Sequence, residues 1–406
     1  MSLWYAIVSM IPRHLLKQLL ALARKYPIVT LLGPRQSGKT ILTQLAFPNY
    51  QYVSLEDLDQ REFALHDPRG FLEKYNRRVI LDEIQRVPSL FSYLQTQVDM
   101  NPEAARFILT GSHQFQLNEK ISQTLTGRTV ILKLFPFSLA EICRRVPQLY
   151  WISGKLTKSL EPSHTLYYYL FHGFYPRIYD KKLPPRQFYR DYLETYVTRE
   201  VRELVNIGDL SKFDTFLRLL AGRTGQRVNL TSLGNDAGLS HPTIKKWLSI
   251  LEASYVIHLL LPHFENFHKR LMKSPKIYFL DTGLLCYLLR IQSVDDLYHH
   301  PYLGAIFESF VFSEIYKTFS HQSEEAPLYF WQDRVGHEID LLIDQGRVLF
   351  PIEIKASKTL IASFFKYIQS WFDLPGNKQK EGCLIYGGNE WMKRKTIQII
   401  PWYGIS

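Results

Sequence analysis

At 406 residues the chain is longer than one ordinary hydrophobic core serves, so two or three domains are expected. Hydrophobic residues make up 46% and charged residues 21%, a globular composition that excludes a disordered chain, and no apolar run reaches the roughly 18 residues a membrane helix needs. The 49 Lys+Arg against 38 Asp+Glu give a net charge of +11, which suits a polyanionic partner without requiring one.

Cys143, Cys286 and Cys383 form no Cys-x-x-Cys pair and fit reduced thiols. The apolar stretch 3–11 lacks a basic n-region and a small-residue cleavage site, so no signal peptide is predicted and the cytoplasm is the expected compartment. No membrane partner is expected.

Residues 14–25 place Leu15, Leu16, Leu19, Leu20 and Leu22 at mostly helical spacing, a short helix under the first strand. The apolar run 26–32 predicts a buried strand and 41–46 a helix. Between them stands Gly33-Pro34-Arg35-Gln36-Ser37-Gly38-Lys39-Thr40. Glycines let such a backbone bend so that its N–H groups and the helix N-terminus face a triphosphate. These eight residues are the expected ATP-binding loop, with Lys39 reaching the β- and γ-phosphates and Thr40 holding Mg²⁺. A glycine turn that matches by chance is the alternative.

A strand at 50–55 and a helix at 60–65 follow. The run 77–85 is then a hydrophobic strand ending in Asp82 and Glu83, 43 residues beyond Lys39. Phosphoryl transfer needs one carboxylate on the Mg²⁺ shell and a neighbour that polarises water, so Asp82 is assigned to the metal and Glu83 to the water. An exposed acidic strand end is the alternative. The strand 106–112 ends in Ser112, a candidate γ-phosphate sensor or simply a turn cap. Arg128 precedes a strand at 129–134. It is a candidate for stabilising transferring charge, in cis or on a neighbouring subunit, or else a surface arginine. Action in trans requires a homo-oligomer. Alternating strands and helices over 1–140 predict an α/β fold, a parallel sheet with flanking helices and ligands at the carboxyl ends of its strands.

After Phe135-Pro136-Phe137 the composition becomes tyrosine-rich and helical, over 141–300. Leu183-Pro184-Pro185 precedes a predicted long helix, 187–205. Its Arg199 and Arg202 suit either phosphate contacts or a salt-bridged face with Glu194, Glu200 and Glu203. Residues 230–248 read as helix, glycine turn and helix, with Ser240 as N-cap and Pro242 in the first turn. Ile244, Trp247, Leu248 and Leu251 face a core and leave Lys245 and Lys246 outside. With a wing beginning in 255–261, the region 225–265 predicts a winged helix-turn-helix. It suits contacts to DNA phosphates, or a lid or subunit contact.

Strand-like runs return in 301–406, at 329–331, 338–343, 348–354 and 382–386. Asp340 and Glu353 lie 13 positions apart, and strand alternation puts Glu353 and Lys355 on one face with Ile352 and Ile354 on the other. If Asp340 lies on the neighbouring strand, two carboxylates and a lysine converge, as metal-dependent phosphodiester cleavage requires. The carboxylates would take Mg²⁺ or Mn²⁺ and the lysine would orient or stabilise the attacking hydroxide.

The combination of Ile11-Pro12-Arg13, the loop 33–40, Leu81-Asp82-Glu83-Ile84-Gln85, Leu109-Thr110-Gly111-Ser112 and Leu134-Phe135-Pro136-Phe137-Ser138 resembles prokaryotic AAA+-type ATPases with a C-terminal domain of unknown function. The resemblance continues through Gly173-Phe174-Tyr175-Pro176, 191–201, 278–284, Gly336-His337-Glu338-Ile339-Asp340 and Ile352-Glu353-Ile354-Lys355. It implies an ATPase core, a winged-helix segment and a nuclease-like end, with a start near Ile11 that would make 1–9 an extension and Met10 an alternative initiator. The Asp…Glu-x-Lys pattern is similar to the restriction-endonuclease-like superfamily, with Ile339 where a proline often stands. That likeness implies Glu308, on a predicted helix at 305–319, as a further acidic metal ligand; an ordinary helix-surface glutamate is the alternative. The expected function is Mg²⁺-dependent ATP hydrolysis coupled to DNA binding or processing. The rival is a nucleotide-controlled signalling switch with an inert nuclease-like domain.

Overall fold

The computed structural model describes residues 10–112, 124–147, 149, 152, 158–197, 210–263, 274–333, 335–346, 348–374 and 377–405. They fall into two compact units. The first is Met1–Phe137 with Ala253–Tyr255 and Phe319–Glu324, and the second is the remainder of the chain. Apart from those two short pieces, the predicted regions 141–300 and 301–406 both lie in the second unit.

The first unit is a parallel sheet of β1 (Ile28–Leu32), β2 (Gln51–Ser54), β3 (Val79–Asp82), β4 (Phe107–Gly111) and β5 (Thr129–Lys133), in the order β2-β3-β4-β1-β5. It is flanked by α1 (Leu15–Ala23), α2 (Lys39–Ala46), α3 (Leu58–His66), α4 (Pro68–Lys74) and α5 (Leu90–Met100). Strands β1, β3 and β4 are buried along their whole length, which is why each reads as an unbroken apolar run and not as an alternation. One face is closed by Leu15, Leu19 and Ala23 of α1 and Leu42 of α2, packed with Val29, Leu31, Ile80 and Ile108. From β1 the chain crosses to the edge at β2 and returns through β3 and β4. Strand β4 therefore lies between the strand that feeds the glycine loop and the strand that ends in Asp82.

The second unit opens with α6 (Leu139–Ile142), α7 (Leu166–His172), α8 (Pro176–Asp180) and α9 (Pro185–Tyr192). The predicted helix 187–205 is described as far as 197: α9 passes at Leu193–Val197 into a π-helical turn, where the Thr195 hydroxyl donates to the Asp191 carbonyl at 2.5 Å. Residues 198–209, with Arg199, Arg202, Glu200 and Glu203, lie outside the described residues, as does 1–9.

Next come α10 (Leu210–Ala221), α11 (Leu230–Ala237) and α12 (His241–Ala253). Ile244, Trp247, Leu248 and Leu251 are buried while Lys245 and Lys246 are exposed, and Phe213 and Phe216 of α10 meet Trp247 edge-on at 5.2 Å. The Ser240 hydroxyl accepts the Thr243 N–H. An antiparallel ribbon of β6 (Ile257–Leu260) and β7 (Lys276–Phe279) follows, with Leu260 opposite Lys276.

Beyond α13 (Thr282–Leu288), α14 (Val294–His299) and α15 (Leu303–His321) stand β8 (Leu328–Gln332), β9 (Glu338–Asp344), β10 (Leu349–Lys355), α16 (Lys366–Phe372), β11 (Gly382–Tyr386), β12 (Met392–Arg394) and β13 (Ile397–Pro401). Their sheet runs β12-β13-β11-β10-β9-β8, antiparallel at β8–β9–β10 and parallel at β10–β11–β13. Ile368, Trp371 and Phe372 of α16 close one face over Ile339 and Leu384. Strands β12 and β13 escaped sequence reading, because Met392-Lys393-Arg394 is polar and the short run 397–401 ends in a proline.

Candidate functional site

The glycine loop leaves the carboxyl end of β1 and enters α2, as its sequence predicts. A Cβ on Gly33 would come 2.0 Å from the Leu134 carbonyl oxygen, and Gly38, the residue before α2, has φ +95°, so neither position tolerates a side chain without strain. No side chain caps α2, which leaves its first N–H groups to an external acceptor. Lys39 is buried and its Nζ donates to the carbonyls of Gly33 (2.8 Å) and Pro34 (2.9 Å). The buried Ser37 hydroxyl has no hydrogen-bond partner among the described residues. A cradle of donors with an orphaned hydroxyl fits a triphosphate.

Thr40 Oγ1 donates to Asp82 Oδ2 at 3.1 Å, which joins the two motifs assigned to Mg²⁺. Asp82 also accepts from the Tyr52 hydroxyl at 2.6 Å and from the Thr110 hydroxyl. A hydroxyl and a carboxylate side by side are a donor set that fits Mg²⁺. Glu83 follows β3 in a left-handed conformation, φ 55° and ψ 47°, a strained position for a non-glycine residue. Its Oε2 accepts from Ser112 Oγ at 2.8 Å and from Gln85 Nε2. Burial favours the neutral acid, but Lys39, Arg35 and the Ser112 and Gln85 hydrogen bonds outweigh it and hold the carboxyl below the usual glutamate range. Arg35 itself is paired with Glu56 at 2.9 Å. Thus Lys39, Thr40, Asp82, Glu83 and Ser112 gather at one end of the sheet.

Arg128 does not join them. It precedes β5 at the opposite, amino end of the sheet, roughly 16 Å away by the length of a five-residue strand. Its guanidinium holds Asp99 at 2.5 and 2.8 Å. The arginine that does meet the loop is Arg13, whose Nη1 donates to the Ser37 carbonyl (2.7 Å) and Nη2 to the Phe135 carbonyl (2.5 Å), with its guanidinium over the Phe137 ring. Arg13 and Gln85 stood in motifs that carry the family resemblance, but sequence reasoning assigned them no role, because no spacing rule ties Arg13 to a loop 20 residues later or Gln85 to the Glu83 carboxylate.

In the second unit, β9 and β10 bring Asp340, Glu353 and Lys355 together. Lys355 Nζ lies 2.6 Å from Glu353 Oε1 and 3.3 Å from Asp340 Oδ2, and Asp340 Oδ2 also accepts the Ile354 N–H at 2.8 Å. Glu353 is 1% exposed, and its Oε2 has no hydrogen-bond partner among the described residues. Burial, reinforced by Asp340 and opposed by Lys355, pushes the Glu353 carboxyl up to about 8. Lys355 is raised above the ordinary lysine value: burial works against its charge, but Asp340 and Glu353 outweigh that. A buried carboxylate oxygen without a donor, beside a second carboxylate, fits a hard divalent cation.

Glu308, on α15, is held by groups that sequence reasoning did not single out. Its Oε1 accepts from Lys276 Nζ at 3.2 Å and from the Tyr278 hydroxyl, both on β7. Lys276 also pairs with Glu338 Oε1, and Gln332 Nε2 donates to Glu338 Oε2 at 3.2 Å. Burial raises the Glu308 carboxyl, with Lys276 opposing. The only sequence signal for Lys276 was its position at the head of an apolar run.

Three stretches of the chain match known families: 25–143 the family described as AAA domain, 163–295 a domain of unknown function (DUF8612), and 303–405 a domain of unknown function (DUF4143). The chain is 29% identical over 337 residues to an uncharacterized protein of Mycobacterium tuberculosis, covering 82% of this chain and 71% of that one. An uncharacterized protein of Haemophilus influenzae is 22% identical over 305 residues, 68% and 73% of the two chains. Among solved structures, the Walker-type ATPase of Pyrococcus abyssi is similar at 15% identity and a TM-score of 0.44, covering 70% of this chain and 97% of that one. Residues 25–143, which match the AAA domain family, thus carry the glycine loop and the Asp82–Glu83 strand end on the parallel sheet of the first unit. Among the described residues, no helix is long and apolar enough to cross a membrane.

Proposed function

We propose that the chain hydrolyses ATP with Mg²⁺ and couples the reaction to DNA through the second unit. The observation that carries the first half is the placement of β4, which sets Ser112 on the Glu83 carboxylate beside the Thr40–Asp82 pair. Thr40 and Asp82 would hold Mg²⁺, which neutralises phosphate charge. Lys39 would exchange its loop carbonyls for the β- and γ-phosphates. Glu83, kept ionised at neutral pH, takes a proton from the attacking water as the water oxygen bonds to the γ-phosphorus and the bond to the β–γ bridging oxygen breaks. Ser112 and Gln85 hold Glu83 in place for that step. Turnover measured with [γ-phosphate]-labelled ATP tests this: unchanged rates in Lys39→Ala and Glu83→Gln would sink the assignment.

For the second half, we read α11 and α12 with the β6–β7 ribbon as a winged helix, and the carboxylate–lysine centre as restriction-endonuclease-like. The exposed Lys245 and Lys246 and the net positive charge support a DNA partner. Asp340 and Glu353 would hold Mg²⁺ or Mn²⁺, which supplies charge neutralisation for a phosphodiester, and Lys355 orients the attacking group. Plasmid incubated with Mn²⁺ should be cut by the wild type and spared by Asp340→Ala and Lys355→Ala. The switch reading has one observation in its favour: Glu308 and Glu338 are both already paired with Lys276. DNA affinity that falls steeply with salt supports the nucleic-acid reading, and no affinity at low salt supports the switch.

A further inference from the structure

Lys276 is 2% exposed, and its ammonium is shared between two carboxylates from different elements, Glu308 of α15 and Glu338 of β9. The ring of Phe330 lies 5.4 Å away and the Tyr278 hydroxyl caps the same Glu308 oxygen. An ammonium buried on this scale survives only because paired charges repay its desolvation, and here they raise its pKa against burial. The group of Asp340, Glu353 and Lys355 adjoins it: Glu338 and Asp340 stand two positions apart on one face of β9, and β10, which carries Glu353 and Lys355, pairs with β9. Glu308, Glu338, Asp340 and Glu353 thus stand against Lys276 and Lys355, an excess of carboxylate that ends in the buried Oε2 of Glu353, which has no hydrogen-bond partner among the described residues.

Two adjoining carboxylate pairs are the donor set that two hard cations would share. We propose that Lys276 is a tethered cation filling the second of these positions, so that the centre takes one divalent ion, at Asp340 and Glu353, and Glu308 is withheld from it. The proposal rests on the reading of Asp340 and Glu353 as a divalent-cation site. It assigns β7, a strand of the ribbon, a charge-balancing role in a site built on a different sheet. It also accounts for Tyr278, whose hydroxyl fixes Glu308 toward the lysine.

The test is Mn²⁺ binding to the full chain without nucleotide, read by the electron paramagnetic resonance of free Mn²⁺, together with melting curves. The wild type should bind one Mn²⁺ that Glu353→Gln abolishes. Lys276→Met, which keeps the length and removes the charge, should bind one ion more, and Mn²⁺ should raise its melting temperature further than that of the wild type. Lys276→Arg should behave as the wild type. Equal ion counts and equal Mn²⁺ responses in Lys276→Met and wild type would make Lys276 a structural counter-ion and overturn the proposal. If Lys276→Met folds only with Mn²⁺ present, the proposal stands; if millimolar Mn²⁺ fails to restore its fold, it falls. A wild type that binds no Mn²⁺ through Glu353, beside a Lys276→Met chain that binds one, would remove the underlying reading while keeping the tethered cation.

Discussion

The two sites each bring two carboxylates and a lysine together beside a sheet, and their electrostatics are opposite. At the glycine loop, Lys39 and Arg35 hold Glu83 below the usual range, and the donors of Lys39 are spent on neutral carbonyls that a phosphate readily replaces. In the second unit the carboxylates are in excess, Glu353 is driven up to about 8, and both lysines are tied to acids. Cationic neighbours set the state of Glu83 at the first site, and burial beside a second carboxylate sets that of Glu353 at the second. On the proposed reading the same residue types would serve a polyphosphate at one place and a cation at the other, and the surrounding burial and pairing would decide which.

The comparison breaks most visibly if chemistry and binding at the loop cannot be separated. Glu83→Gln keeps the hydrogen bond to Ser112 and the loop intact, so ATP affinity should hold while turnover falls about 10²- to 10⁴-fold, the usual worth of a positioned general base. Lys39→Ala should lose affinity and turnover together. Equal loss of affinity in both variants would mean that Glu83 shapes the binding site instead of acting on water.

The second site is tested by pH. A glutamate in the unfolded chain titrates near 4.3. From there up to about 8 the folded protein retains a proton on Glu353 that the unfolded chain has released. The stability this confers is complete below the lower value and is lost as pH rises through the window, by at most about 1.4 kcal/mol per pH unit. Melting of the wild type should therefore weaken from pH 5 to 8, and Glu353→Gln should flatten that slope. A slope unchanged in the variant would show that the excess charge is dissipated elsewhere.

How much of this was legible follows from how local each signal is. The loop, Asp82, Glu83 and Ser112 announce themselves because a fully buried parallel strand reads as an apolar run and its functional residue stands directly at its end. Asp340, Glu353 and Lys355 were legible through strand alternation and the Glu-x-Lys spacing. Lys276, Tyr278 and Glu338 were not, since a pairing between β7, α15 and β9 spans 62 positions from Lys276 to Glu338 and has no periodicity. The change from α- to π-helical hydrogen bonding at Leu193 was hidden for a different reason: a π-turn keeps helical composition and changes only its hydrogen bonding.

Arginines give the finest test, because sequence reasoning chose the one at the far end of the sheet. Arg13 makes charge-assisted bonds to two carbonyls, one of them in the loop and one beyond β5. Each such bond contributes on the order of 1.5–3 kcal/mol, but only the fraction that fixes the loop reaches the ligand. A roughly tenfold loss of ATP affinity in Arg13→Ala corresponds to about 1.4 kcal/mol, with Arg13→Lys recovering less than half because a lysine cannot span both carbonyls in one plane. Arg128→Ala removes a half-exposed pair with Asp99, and such pairs add little. Its turnover should stay within about twofold of the wild type at protein concentrations too low for subunit contacts. Should Arg128→Ala instead lose activity only as concentration rises, the arginine would be working on a neighbouring copy, and the loop's positive charge would be completed from outside the chain.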